Sequence, residues 1–467
     1  MFHRYRLDNG IEIISEPMEN RRTVSIGAFV KVGSSHETRE ENGICHLIEH
    51  MLFKGTHKHT AKEIADITVR MGDDVNAFTS KECTALYGMT ITENLPEMIA
   101  LLGDMLSGTK MDAKELAKEK RVVMDEIDMY ADSPEDLVHE LLQKRVWRED
   151  ALGFLISGTK TTVRSFDKEQ LLAFQKQNYY GENMLISVAG GYEEKEMLAC
   201  LAKSFGRIRP KPFSPQLAAQ ALKAEKKSEL ALEPYFAVYP EERSQNNKLH
   251  SERATGTITA PEYFCSFVTE HKDIEQLHMN LAFPGLVLGD ERRFMYSIFN
   301  SVFGGSNNSR LFQRIREEEG LAYSVYSYSS AYQKAGLFHI DITVQPGLAE
   351  QVLRETIEII REFTEHGLTP EELTMHKQQV KTELIMNAES PKTRMDSNAK
   401  FALADARLYT LEEKLERIEA VTCEEIRQLA KECLNLSCCS ICVVGNRENG
   451  NWNALRRIWK ELTAQAV

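Results

Sequence analysis

Two histidines and a glutamate set the first chemical expectation for this chain. His46-Leu47-Ile48-Glu49-His50 has the form H-x-x-E-H. On an α-helix, positions i and i+4 lie one above the other. Both imidazoles can therefore share one zinc ion at ~2.0–2.1 Å, with the i+3 carboxylate beside a zinc-activated water. The order inverts the H-E-x-x-H arrangement. A catalytic zinc takes a third protein ligand and keeps a fourth position open for water. Glu126, in the apolar run Val122-Val123-Met124-Asp125-Glu126-Ile127, is a candidate for the third place, because an unpartnered carboxylate there would be costly. Glu119, two helical turns earlier on the same face, is a candidate to brace the site. Spacing alone leaves both readable as solvated helix glutamates.

These residues need helices to position them. From Gly43 to Lys54 the apolar Ile44, Leu47, Ile48, Met51 and Leu52 recur at three and four, which predicts a helix carrying both histidines. Ala61–Met71, Leu95–Met105 and Asp112–Trp147 read as further helices, the last holding Glu119 and Glu126. Leu7-Asp8-Asn9-Gly10 is a turn between two β-type runs, Val24–Val32 is a strand, and Asp74–Met89 holds strands with alternation across Val75, Ala77 and Thr79. Asp167-x-x-Gln170 is a capping pair opening a helix, followed by a strand at Leu185–Ala189 closed by Gly190. Thr422, Glu425 and Gly445 stand 255 positions after Asp167, Gln170 and Gly190, so one helix-strand-glycine unit ends both halves. This predicts two related domains, 1–209 and 271–467, joined by a Pro-rich, polar linker at 210–270. The linker holds six of the thirteen prolines and one possible helix, Gln216–Leu232.

Composition narrows the function classes. The 467 residues are 42% hydrophobic and 27% charged, enough for more than one globular core. Lys+Arg 57 against Asp+Glu 70 gives a net charge of −13, which argues against a surface that tracks nucleic-acid phosphates. Nine unevenly spread cysteines make no disulfide framework, and Cys439-Ser-Ile-Cys442 reads as small buried thiols in a strand. No run approaches 18 apolar residues, and a reducing cytoplasm is the compartment expected.

The H-x-x-E-H at 46–50, the run Glu119-Lys120-Arg121-Val122-Val123-Met124-Asp125-Glu126-Ile127 and the following Asp132-Ser133-Pro134 resemble the pitrilysin/insulinase family of inverzincin metallopeptidases. The likeness is closer to its short two-domain branch, which includes processing-peptidase-like proteins. It implies one Zn2+ per chain on His46, His50 and Glu126, with Glu49 as general base and Glu119 as supporting acid. Gly72–Ser80 resembles the family's edge strand, which implies that Asn76 and Ala77, with Phe78 beside them, meet the substrate backbone by β-augmentation. Ser309–Arg316 running on to Gly320–Tyr326 resembles the second-domain signature, which implies roles for Arg316 in orienting the substrate main chain and for Tyr323 in steadying an oxyanion. By spacing alone, Asn76 is a turn or strand-end residue, Arg316 a surface arginine and Tyr323 a strand-core tyrosine.

The resemblance further implies two homologous α+β sandwich domains, each an antiparallel-type sheet with helices on one face. A homodimer would close them like a clamshell around a chamber, with Arg316 and Tyr323 acting in trans on short or unfolded peptides. Neither nucleic acid nor a membrane is an expected partner. The chain departs from the family form by lacking His-Pro before Leu152-Gly153, and its linker is longer than in compact members. The competing reading is a non-catalytic or partner-dependent subunit of a processing-peptidase-like heterodimer.

Overall fold

The computed structural model describes residues 2–211 and 260–464. In the first half, strands β1 (His3–Arg6), β2 (Glu12–Pro17), β3 (Thr23–Val30), β4 (Val75–Thr79), β5 (Thr84–Ile91) and β6 (Met184–Gly190) form one sheet in the order β1-β2-β6-β3-β5-β4. Pairing is antiparallel except between β2 and β6. The turn between β1 and β2 is made by Asn9-Gly10. Gly10 takes a φ of 92°, and the Asn9 amide donates to the carbonyls of Phe205 and Ile208 at 2.9 Å each.

The helices of this half are α1 (Ile44–Leu52), α2 (Ala61–Arg70), α3 (Leu95–Gly108), α4 (Ala113–Asp132), α5 (Pro134–Trp147), α6 (Lys160–Ser165), α7 (Lys168–Asn178) and α8 (Glu194–Phe205). The single helical run expected over Asp112–Trp147 is broken at Ser133-Pro134. Proline disfavours the helical conformation of the residue before it, and Ser133 caps α5 by accepting from the Asp136 N–H.

The second half repeats the plan. Strands β7 (Phe267–His271), β8 (Leu277–Pro284), β9 (Ala322–Ala331), β10 (Gly336–Val344) and β11 (Ser440–Gly445) form a sheet in the order β7-β11-β8-β10-β9. Leaving out β1, the two orders are identical, down to one parallel pair at the same place, β2–β6 and β7–β11. The capping pairs 255 apart are both formed: Asp167 with Gln170 opens α7, and Thr422 with Glu425 opens its counterpart. Helices α9 (Arg293–Phe303), α10 (Ala349–His366), α11 (Pro370–Ala388), α12 (Pro391–Leu403), α13 (Leu411–Ala420), α14 (Cys423–Cys433) and α15 (Trp452–Thr463) complete this half. Its core is built on Phe299, Phe303, Phe338 and Phe363, with ring centroids 5.0–5.9 Å apart.

The linker expected at 210–270 is shorter at its end than the sequence suggests, since Phe267–His271 is strand β7. Most of it, including the possible helix Gln216–Leu232, lies outside the described residues. The cysteines of the described residues are free thiols, and Cys439 and Cys442 are buried. No helix among the described residues is long and apolar enough to cross a membrane.

Packing does not follow the chain. Among the described residues one compact unit takes in 2–124, 156–211 and 389–403, and the other 125–155, 260–388 and 404–464. Helices α5 and α12 stand at corresponding points of the repeat, and each lies in the unit of the opposite half. In the first unit every residue of β6 and all but the first of β3 are buried, the mark of a sheet covered on both faces. One face is met by α3: a Cβ on Gly88, the register partner of Ile26, would stand 2.8 Å from the Met98 methyl carbon. The other is met by α12. A Cβ on Gly27 would stand 2.7 Å from the Met395 sulfur, and Ser187, partner of Gly27, donates to the Met395 carbonyl at 2.9 Å.

The buried Glu16 carboxylate ties α12 down through Arg394 and through Asn398 Nδ2 at 2.6 Å. In the second unit α5 does the same: Val138, Leu142 and Val146 pack with Ala282, Leu337, Cys442 and Val444. His139 there lies between the Tyr328 hydroxyl at 2.9 Å and Asp341 at 3.2 Å. The expected helices on one face are thus joined by a helix on the other, supplied from far along the chain.

Candidate metal centre

Helix α1 begins without a side chain of its own to cap it. Gly43, at φ 96°, occupies the N-cap, where a Cβ would stand 2.7 Å from the Ser157 carbonyl oxygen. Glu37, from the preceding turn, supplies the cap: its carboxylate accepts from the N–H of Gly43 at 2.8 Å and of Cys45 at 2.9 Å, and from Asn42 Nδ2 at 2.9 Å. Burial pushes the Glu37 carboxyl up to about 7, against the lowering effect of those donors. Ile44, Cys45, Leu47, Ile48, Met51 and Leu52 are buried, which rolls His46, Glu49 and His50 to the half-buried side of the helix.

There the His46 and His50 rings sit edge to face, with centroids 4.7 Å apart. His46, His50 and Glu126 offer one ligand atom each, all within 4.8 Å of one another, the one such group of three among the described residues. Helix α4 is unbroken from Ala113 to Asp132, so Glu126 is fixed relative to Glu119 by helical geometry. Burial, and secondarily the neighbouring His50, lowers His46 to about 4, which keeps its imidazole neutral and its lone pair available at neutral pH.

Glu119 is buried and faces His50 Nδ1 at 3.2 Å, while Lys54 Nζ holds its other oxygen at 2.9 Å. A carboxylate on Nδ1 favours the tautomer in which Nε2 would be the nitrogen offered to a metal. Glu49 accepts a hydrogen bond from the Thr79 hydroxyl at 2.7 Å. Two imidazoles, one carboxylate and a carboxylate behind one imidazole form a donor set that fits zinc.

Strand β4 lies at the edge of its sheet, beside α1. Pleating turns Val75, Ala77 and Thr79 toward the α1 side and Asn76 and Phe78 to the other. Asn76 Oδ1 accepts from the Ala77 N–H at 2.8 Å. The Phe78 ring packs against Phe29 and Tyr87 at 6.4 and 5.9 Å, on the sheet face that α12 covers, away from Glu49.

Arg316 and Tyr323 are not part of the His46–His50–Glu126 group. Arg316 is exposed on a π-helical turn, Phe312–Glu318, its guanidinium 4.9 Å from the Phe312 ring centroid. Tyr323 is 71% exposed on β9, the edge strand of the second sheet, where the strand-core reading of this tyrosine does not hold. Reading the sequence for chemistry passes over Thr79, Lys54 and Glu37. Of these only Lys54 carries a spacing signal, standing one helical turn after His50.

Comparison with known proteins gives two family matches along the chain. Residues 12–160 match the family described as "Insulinase (Peptidase family M16)", and residues 165–380 match "Peptidase M16 inactive domain". The uncharacterized zinc protease YmxG of Bacillus subtilis is 36% identical over 92% of this chain and 95% of its own length. An uncharacterized zinc protease of Streptomyces coelicolor is 29% identical over 92% of this chain and 87% of its own. In fold, the crystal structure of a protease from Helicobacter pylori is similar with a TM-score of 0.81, at 18% identity, over 95% of this chain and 99% of that one. All four expected zinc-site residues fall inside the segment matched at 12–160.

Proposed function

The chain belongs to the insulinase family, peptidase family M16, and from that premise we propose that it is a zinc-dependent endopeptidase acting on short or unfolded peptides. The observation that carries the reading is the convergence of His46, His50 and Glu126 within 4.8 Å of one another, with Glu49 on the same helix held by a donor. One zinc held by these three residues supplies Lewis acidity, polarising a scissile carbonyl and lowering the pKa of water. Glu49 takes the proton of the attacking water and passes it to the leaving amine. Glu119 keeps His50 in the tautomer that presents Nε2. An extended peptide adds to the open edge of β4, with Asn76 Oδ1 giving up the Ala77 N–H to a peptide carbonyl. Tyr323 donates to the developing oxyanion and Arg316 orients the substrate main chain, both supplied by the partner in a homodimer that encloses the peptide.

The test is cleavage of a mixed quenched-peptide library by zinc-replete protein beside Glu49→Gln. The expected result is cleavage by the wild type and loss of about 10²–10⁴-fold in the variant, with zinc retained. Equal rates for the two proteins would overturn the role of Glu49. Silence from a zinc-loaded wild type would favour the non-catalytic or partner-dependent subunit.

A further inference from the structure

We propose that Thr79 is the positioning residue of the base: its hydroxyl holds the Glu49 carboxylate in one orientation, from the strand whose open edge receives the peptide. This rests on the reading of Glu49 as general base. The terminal torsion of a glutamate is broad, so a carboxylate without a directed donor samples both faces, and productive proton transfer needs a base oriented by a third group. Thr79 meets that need. Its Oγ1 donates to Glu49 Oε2 at 2.7 Å, which fixes the direction of the carboxylate.

Two features make Thr79 suited to this. It is β-branched, with few χ1 states, so the hydroxyl direction is set by the strand backbone. That backbone is fixed in turn, because Thr79 closes the β4–β5 register opposite the buried Thr84. Pleating places Val75, Ala77 and Thr79 on the side of α1, two residues apart. A peptide hydrogen-bonded at Ala77 is thereby held in register with the residue that aims the base. The strand sets both the substrate's position and the direction of proton transfer, and a small displacement of β4 moves the two together. Phe78, between them, points to the opposite face and takes no part.

The experiment compares wild type, Thr79→Val and Thr79→Ser, all zinc-loaded, in three readouts. Valine keeps the branched shape and removes the donor, and serine restores the donor. For Thr79→Val the expected kcat falls by about 10- to 100-fold, with KM and the zinc dissociation constant unchanged within about twofold. Thr79→Ser recovers most of the loss. A peptide hydroxamate, which donates to the base when bound, is expected to bind Thr79→Val about fivefold more weakly. A kcat within twofold of wild type in Thr79→Val, a serine variant as impaired as valine, or a parallel loss of zinc affinity would overturn the proposal. If the wild type cleaves nothing, the peptidase reading fails, and equal hydroxamate affinity in wild type and Thr79→Val then overturns the role of Thr79 on its own.

Discussion

At His46 and His50 the protein has separated two imidazoles that the sequence presents as equals. His46 is held neutral by burial, while His50 is backed by the buried Glu119, itself paired with Lys54. The two carboxylates of α4 therefore have different tasks, and their substitution is expected to read differently. Glu126→Gln removes the one anionic oxygen of the ligand group and should weaken zinc binding by 100-fold or more, on the order of 3 kcal/mol. Glu119→Gln keeps the shape and removes the charge behind His50, and should weaken it by roughly 10-fold. Competition with a chromophoric chelator measures both, and full zinc affinity in Glu126→Gln would remove it from the ligand set. The H-x-x-E-H motif was legible because helical periodicity fixes i and i+4 without any knowledge of the rest of the chain. Glu119 and Glu126 were candidates from helical spacing and an apolar setting, and only family likeness implied their roles, since spacing along one helix cannot say what the helix faces.

At the scale of elements, α1 owes its start to a residue outside it. Glu37 is buried, caps the helix that carries the histidines, and has its carboxyl pushed up to about 7. The folded state therefore holds this proton more tightly than the unfolded chain, whose glutamate titrates near 4.3–4.5. Stability from this group is full below about 4.5 and is lost as pH rises through about 7, by an amount on the order of 3 kcal/mol. Denaturant unfolding of chelator-treated protein at several pH values checks this. The expected outcome is that Glu37→Gln flattens this descent while lowering stability at acid pH, and identical pH profiles for the two proteins would refute it. The cap was not legible in the sequence, because Gly43 stands where a capping side chain is sought and the donor pattern closes only when the preceding turn folds back. The break at Ser133-Pro134 was legible in principle, from a proline inside a helical period.

For the whole molecule, the exchange of α5 and α12 makes each sheet depend on a helix from the other half of the chain. The tie at Glu16 is its sharpest point. Arg394→Ala leaves that carboxylate buried with Asn398 as its remaining partner in the pair of side chains from α12, and should cost about 2–4 kcal/mol. Adding Glu16→Gln should recover part of it, as thermal or denaturant unfolding would report, and an additive double variant would show the two residues to be uncoupled. The proposed trans action of Arg316 and Tyr323 is tested by mixing two inactive variants, Glu49→Gln and Tyr323→Phe. In a mixed dimer one site carries both defects and the other none, so activity should return to about a quarter of wild type if protomers pair at random. No recovery after subunit exchange would place the tyrosine in cis, and an active Tyr323→Phe would place it outside the reaction.

By itself the sequence determined the helix that carries both histidines, the element types around it and the helix-strand-glycine unit that ends both halves. Each of these rests on local periodicity or on capping pairs whose partners are three residues apart, as at Asp167/Gln170 and Thr422/Glu425. Only the tertiary structure decided which carboxylates meet the histidines, that Thr79 aims Glu49, that Glu37 caps α1 and that α5 and α12 change sheets. The pairs involved are 30 residues apart for Thr79 and Glu49 and 378 apart for Arg394 and Glu16. Contacts across such separations form only because burial of whole faces brings the elements together, and no periodicity in the chain encodes them.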